Sequence, residues 1–211
     1  MSPYQLAPRL AGVVGVLATA IMVVADLVML YAPPRGGTPP LQYFAAAISR
    51  DRLILGDYLG LFALPFVLAG LLHVYAGLRP AGFWLAVLPV ALLGYAYVLG
   101  AAFHHGVALL VSAVQEDAAT AAPLANQFLR PLLTVFTLTA ASGAIVLFLV
   151  LLTRRTAYPA WMAWLSPLPT FALSFLLRRF GPPTFAGVLV PAGHNLAMFV
   201  FFTCSTIVLW R

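Results

Sequence analysis

Two aspartates, Asp26 and Asp57, stand inside long apolar runs, as do His104, His105 and His194. A carboxylate beside an imidazole, partly withdrawn from water, is the pairing from which general acid–base chemistry is built. Asp26 and Asp57 are therefore the expected acid–base pair, with His104 and His194 as their partners. The same set, His104, His194, Asp26 and Asp57, is the only plausible metal-ligand group, for zinc or iron. No HExxH or HxxxH spacing accompanies it, so a divalent metal is an option that nothing in the sequence requires. His104 or His105 with His194 would also suit bis-histidine haem ligation, without any CxxCH attachment motif.

Other residues extend the constellation. Tyr97 and His104 are seven apart and share a helix face, which makes His104 the preferred pocket histidine. Adjacent helical residues point about 100° apart, so His104 and His105 cannot both grip one small ion. Arg130, Thr134 and Thr137 follow i, i+4, i+7 spacing, with Arg130 as an anion clamp. Pro191-Ala192-Gly193-His194-Asn195 reads as a helix start whose free amides favour an anion. Arg178 and Arg179 would help hold a headgroup there. The expected substrate-binding residues are thus Arg130, His194, Asn195, Tyr97 and Arg178. Phe62, Phe66, Tyr95, Tyr97 and Phe103 would line the apolar part. The structural alternative is that Asp26 and Asp57 pair with Arg130 or His194 and simply tie helices together.

The elements that must position these residues follow from composition. The chain has 211 residues, of which 63% are hydrophobic and 8% charged. A soluble domain carries about 25% charged residues, so the composition excludes a soluble enzyme, a disordered chain and a nucleic-acid binder. All eleven basic residues are arginine, and the net charge is +6. Without lysine there is no Schiff base and no P-loop. The single cysteine, Cys204, allows no intramolecular disulfide and no cysteine-based cluster.

A membrane helix needs about 20 mostly apolar residues. Six spans are expected, at about 10–31, 53–78, 82–113, 128–153, 161–177 and 191–210, forming one all-α domain over 1–211. The first is too long for a signal-peptide core and reads as a retained anchor. Pro33–Pro40 is a loop, Leu41–Ser49 a short amphipathic surface segment and Gln115–Ala125 a polar loop. Arg154–Pro159 is a tight turn, and Phe180–Val190 a re-entrant or interfacial piece. Pro65, Pro89, Pro167 and Pro169 fall inside spans and are expected to kink them. Gly56 and Gly60 permit a close helix crossing. No internal repeat is visible.

Six spans put both termini on one side. The arginine balance does not orient the bundle, and cytoplasmic termini are the expectation. Threading the chain brings Asp26, Asp57, His104, His105, His194 and the arginine rim into one half of the membrane. His73 lies sixteen residues from Asp57, about 24 Å along a helix, near the other face.

Three segments carry a family resemblance: His73–Gly82, Gly100–Gly106 and Pro191–Ala197. With an aspartate late in span one, they resemble a bacterial family of six-span membrane proteins known only as a domain of unknown function. The resemblance implies the span count and a bacterial cell-membrane setting, and no catalytic role. The expected function is a multi-pass enzyme modifying a lipid or isoprenoid, with membrane lipids and an apolar small molecule as partners. A proton-coupled solute carrier is the alternative, and a metal- or haem-binding membrane protein a further one.

Overall fold

The computed structural model describes residues 3–32 and 45–210. Every long element is helical: α1 (Pro3–Leu30), α2 (Arg50–Leu78), α3 (Phe83–Glu116), α4 (Ala118–Leu124), α5 (Arg130–Leu152), α6 (Pro167–Phe180) and α7 (Pro183–Trp210). Short 3₁₀ turns cover Arg79–Ala81 and Ala160–Leu165. The Pro33–Pro40 loop and the Leu41–Phe44 part of the surface segment lie outside the described residues.

Among the described residues five helices are long and apolar enough to cross a membrane: Leu6–Leu30, Arg50–Ala81, Phe83–Glu116, Gln127–Leu152 and Gly187–Trp210. The expected fifth span, 161–177, is not among them. Its first turns are 3₁₀, and Pro167 opens the 14-residue α6. At 1.5 Å per residue α6 covers about 21 Å, short of a hydrocarbon core of about 30 Å. Pro167 sits in the first helical turn, where its missing donor costs nothing, so it starts a helix and does not kink one.

Two other boundaries differ from the sequence reading. The stretch Gln115–Ala125 is not an open loop: α3 runs to Glu116, and α4 follows after Asp117. Span six does not begin at Pro191. The helix starts at Pro183 and keeps Pro191 inside it. The amides of Gly193–Asn195 are therefore not free, and the expected anion site at that helix start is absent.

Glycines set the closest crossings. A Cβ on Gly70 would lie 2.5 Å from Gly15 Cα, so α1 and α2 touch backbone to backbone there. Gly56 lies under Met29, and Gly60 under the His104 ring. The main apolar core joins α1, α2, α3, α5 and α7 through residues such as Met22, Val67, Leu93, Leu147 and Phe202. A smaller one, with Met29, Ile48, Leu53, Val107 and Val111, closes one end.

The Arg9 guanidinium lies 5.9 Å from the Trp210 ring, so the start of α1 meets the end of α7. All four tryptophans, Trp84, Trp161, Trp164 and Trp210, sit exposed in elements that begin or finish at this terminal end. That is the signature of an interfacial aromatic belt. His73 is buried at the same end and its Nδ1 donates to Pro8 O at 2.8 Å. Tyr158 Oη and Ser205 Oγ stand 2.9 Å apart nearby. At the distal end, Ser49 caps α2 through the Arg52 amide. Arg52 bridges back to the last carbonyls of α1, donating to Val28 O at 2.9 Å and Tyr31 O at 3.0 Å.

Candidate functional site

Asp26 lies about one turn, and Asp57 about two turns, from the distal end of its helix. Both are only 6% exposed. A charged carboxylate buried among apolar helices is costly unless it is paired and hydrogen-bonded, so each must find partners inside the bundle. Each does, and each finds a different histidine. His104 Nδ1 stands 3.3 Å from Asp26 Oδ1. His105 Nδ1 stands 2.7 Å from Asp57 Oδ2. With Asp57 ionised, His105 Nδ1 carries the ring proton and donates it to the acid, whereas His104 Nδ1 faces Asp26 Oδ1 as an ion-pair contact. The second Asp26 oxygen, Oδ2, accepts from Asn195 Nδ2 at 2.8 Å. Neither aspartate pairs with Arg130 or His194, which corrects that part of the expectation.

The 100° step between neighbouring helical residues explains the division. α3 packs against α2 and α5, and from it His105 turns to Asp57 of α2 while His104 reaches across α2 to Asp26 of α1. The His104 ring reaches Asp26 by lying over Gly60, where a Cβ would stand 3.2 Å from its Nε2. The sequence places His105 in this layer but gives it no acid–base partner; the structure pairs it with Asp57.

His194 sits elsewhere in the layer. Its ring packs against Tyr97, Phe136 and Phe171 at centroid distances of 5.6, 5.3 and 6.3 Å. Tyr97 is buried within electrostatic reach of Asp26. Five polar atoms here have no hydrogen-bond partner among the described residues: Asp57 Oδ1, Tyr97 Oη, His104 Nε2, His194 Nε2 and Asn195 Oδ1. Such atoms are few in native proteins, and each calls for a reason.

The layer is apolar above and below. Towards the terminal end lie Met22, Ala63 and Tyr97 of the main core. Towards the distal end Met29, Leu53 and Val111, each 1% exposed or less, form a plug. The half-exposed His105 side chain, at 46%, is where the layer reaches the bundle surface.

Several expected site residues are not brought in. Arg130, Thr134 and Thr137 are exposed on the outer side of α5. The Arg178 side chain lies outside the described residues. Phe62, Phe66 and Tyr95 face outwards, and Phe103 packs against the distal plug. Among the described residues no three His, Cys, Asp or Glu side chains converge as metal ligands would. The set His104, His194, Asp26 and Asp57 is divided between two pairs and an aromatic nest, so it does not fit a metal. An open groove of about 500 Å³ runs along Val24, Leu27, Val28, Tyr31, Arg52 and Val188. It lies on the face of α1 opposite Asp26, so it is not the cavity of the paired acids.

Residues 7–211 match the model of a family described as a family of unknown function, DUF6796. The chain belongs to this family. No curated protein and no solved structure matches it. The match covers the whole Asp–His layer, from Asp26 to Asn195, and agrees with the resemblance to a domain of unknown function.

Proposed function

We propose that the chain is a multi-pass cell-membrane protein whose Asp–His layer performs acid–base chemistry on a lipid- or isoprenoid-class molecule. The observation that carries this reading is Asp26, buried and held between His104 and Asn195. A carboxylate that fixes Nδ1–H leaves Nε2 of the same imidazole to give or take a proton. His104 Nε2 is buried without a partner, which suits a group awaiting one. Asp57 with His105 supplies a second proton-holding pair. Tyr97 Oη, His194 Nε2 and Asn195 Oδ1 would orient the polar part of the molecule, whose apolar part remains in the bilayer. The meeting of Arg9 and Trp210 supports termini on one side of the membrane, the short α6 carrying the chain back to the distal start of α7, where Gly187 lies against Tyr31 and Ala32; that side is taken as cytoplasmic.

The test compares membrane lipid profiles from cells producing the wild type, D26N or D57N at matched levels. The expected result is a lipid or isoprenoid species altered by the wild type and restored in both variants. Identical profiles in all three would overturn the enzyme reading. Proton flux into liposomes carrying the wild type, lost in D57N, would then favour the carrier.

A further inference from the structure

In the two Asp–His pairs His105 is the widely exposed member, at 46% against 14% for His104 and 8% for each aspartate, and the pairs are joined through consecutive residues of α3. We propose that His105, Asp57, His104 and Asp26 form a proton-conducting chain that enters the bundle sideways at His105.

The entry point follows from depth. Trp84 is 76% exposed near the start of α3 and marks the terminal-side interface. His105 comes 21 residues later, about 32 Å along the helix. That distance matches a hydrocarbon core of about 30 Å. His105 therefore stands at the opposite interface, within reach of headgroups and water. From that point α3 continues to Glu116, whose carboxylate pairs with Arg50 at 3.3 Å. An end-on route is blocked by Met29, Leu53 and Val111.

The inner steps follow from the atoms left over. His105 Nδ1 contacts Asp57 Oδ2, and Asp57 Oδ1 is buried without a partner. Gly60 is three residues beyond Asp57, so both lie on one face of α2. The unpartnered Nε2 of His104 rests on that same Gly60. The two unmet atoms thus belong to neighbouring positions on one helix face, with no direct hydrogen bond between them, and the proposed step from one to the other runs through a bridging water. His104 Nδ1 then meets Asp26 Oδ1.

A proton taken up at His105 Nε2 leaves Nδ1 for Asp57 Oδ2. The neutral Asp57 carboxyl then turns so that its O–H faces His104, gives that proton through a bridging water to His104 Nε2 and returns as the carboxylate, and His104 passes its Nδ1 proton to Asp26 Oδ1, which stands 3.3 Å away. No electron moves, one positive charge is transferred inwards, and each imidazole resets by exchanging its tautomer. The ionisable or polar groups facing this chain are Asp26 of α1, Asp57 of α2, Tyr97 of α3, and His194 and Asn195 of α7. The proposal rests on the acid–base reading for its destination, Asp26, and on geometry for its route.

The experiment is hydrogen exchange at the imidazole N–H groups of the full-length chain, labelled with ¹⁵N-histidine and placed in lipid nanodiscs. Four histidines make the spectrum assignable by single replacements. The expected result is a His104 N–H exchange rate at least tenfold slower in D57N and in H105Q, with His73 unchanged. The His73 and His194 signals report that each variant is folded. Unchanged His104 exchange in both variants would overturn the chain. So would exchange accelerated by L53A yet insensitive to H105Q, since protons would then enter from the end. The measurement needs no substrate. A protein that exchanges through His105 and alters no lipid keeps this route and loses the enzyme reading.

Discussion

Gly15 and Gly70 hold α1 and α2 together at backbone distance, for a Cβ at Gly70 would lie 2.5 Å from Gly15 Cα and 3.0 Å from its nitrogen. Neither backbone can move aside as a side chain would. G70A should therefore cost about 3 kcal/mol or prevent assembly. The matched control is G94A, whose Cβ would meet only side-chain ends, Leu71 Cδ1 at 3.4 Å and Leu68 Cδ2 at 3.7 Å. It should leave stability unchanged or raise it by about 0.5–1 kcal/mol through helix propensity. Thermal unfolding of both variants in detergent, followed by helical circular dichroism, checks the contrast.

Arg52 and Arg50 are two residues apart and should differ sharply in worth. Arg52 satisfies carbonyls at the end of α1 from a partly buried position, and charged hydrogen bonds of that kind are worth about 1.5–3 kcal/mol. R52Q should lower the unfolding midpoint by several degrees. The Arg50–Glu116 pair is two-thirds exposed on both sides. E116Q should change stability by less than about 1 kcal/mol, and less still in high salt.

Tyr158 lies outside the spanning helices, under Gly77 and against Ser205. Burial pushes its phenol well above the usual tyrosine value, and the Ser205 bond offsets this only in part. The unfolded chain then loses the Tyr158 proton first, near pH 10. Between that pH and the higher folded value, the folded state binds more protons, so stability falls as pH rises. The slope from one such group is at most about 1.4 kcal/mol per pH unit. Denaturation midpoints measured from pH 8 to 11 should fall less steeply in Y158F than in the wild type.

Asn195 should be sensitive to charge more than to size. N195A leaves Asp26 Oδ2 without its donor, at about 1–3 kcal/mol. N195D places a second carboxylate against the first and should destabilise by about 3–5 kcal/mol at neutral pH. It should recover part of that loss in acid, where one carboxyl takes up a proton. Unfolding midpoints at pH 5 and pH 8 separate the two variants, because N195A has no second acid to titrate.

The long apolar runs, the buried depth of Asp26 and Asp57, and their gathering with His104 and Asn195 in one layer were legible from residue type and helical rise alone. The division into two pairs was not. It depends on which neighbour each face of α3 meets, and a single chain's periodicity carries no such information. Pro191 misled because proline suits a helix start, whereas here α7 begins eight residues earlier at Pro183. The fifth span misled because its apolar composition hides a 3₁₀ segment that ends at Ser166 before Pro167. Gly15 and Gly70 were invisible as partners because no spacing within either helix links them.

Asp26 and Asn195 are separated by 169 residues, which gives the bundle an order of manufacture. At ordinary synthesis speeds the ribosome takes roughly 10–30 s to travel that far. Throughout that interval the first helix carries an acid whose amide partner has not yet been made. The last helix is thus the one that completes the carboxylate's set of contacts. A chain stopped before Asn195 would display an unmet polar group within the bilayer, a local mark that separates unfinished copies from finished ones.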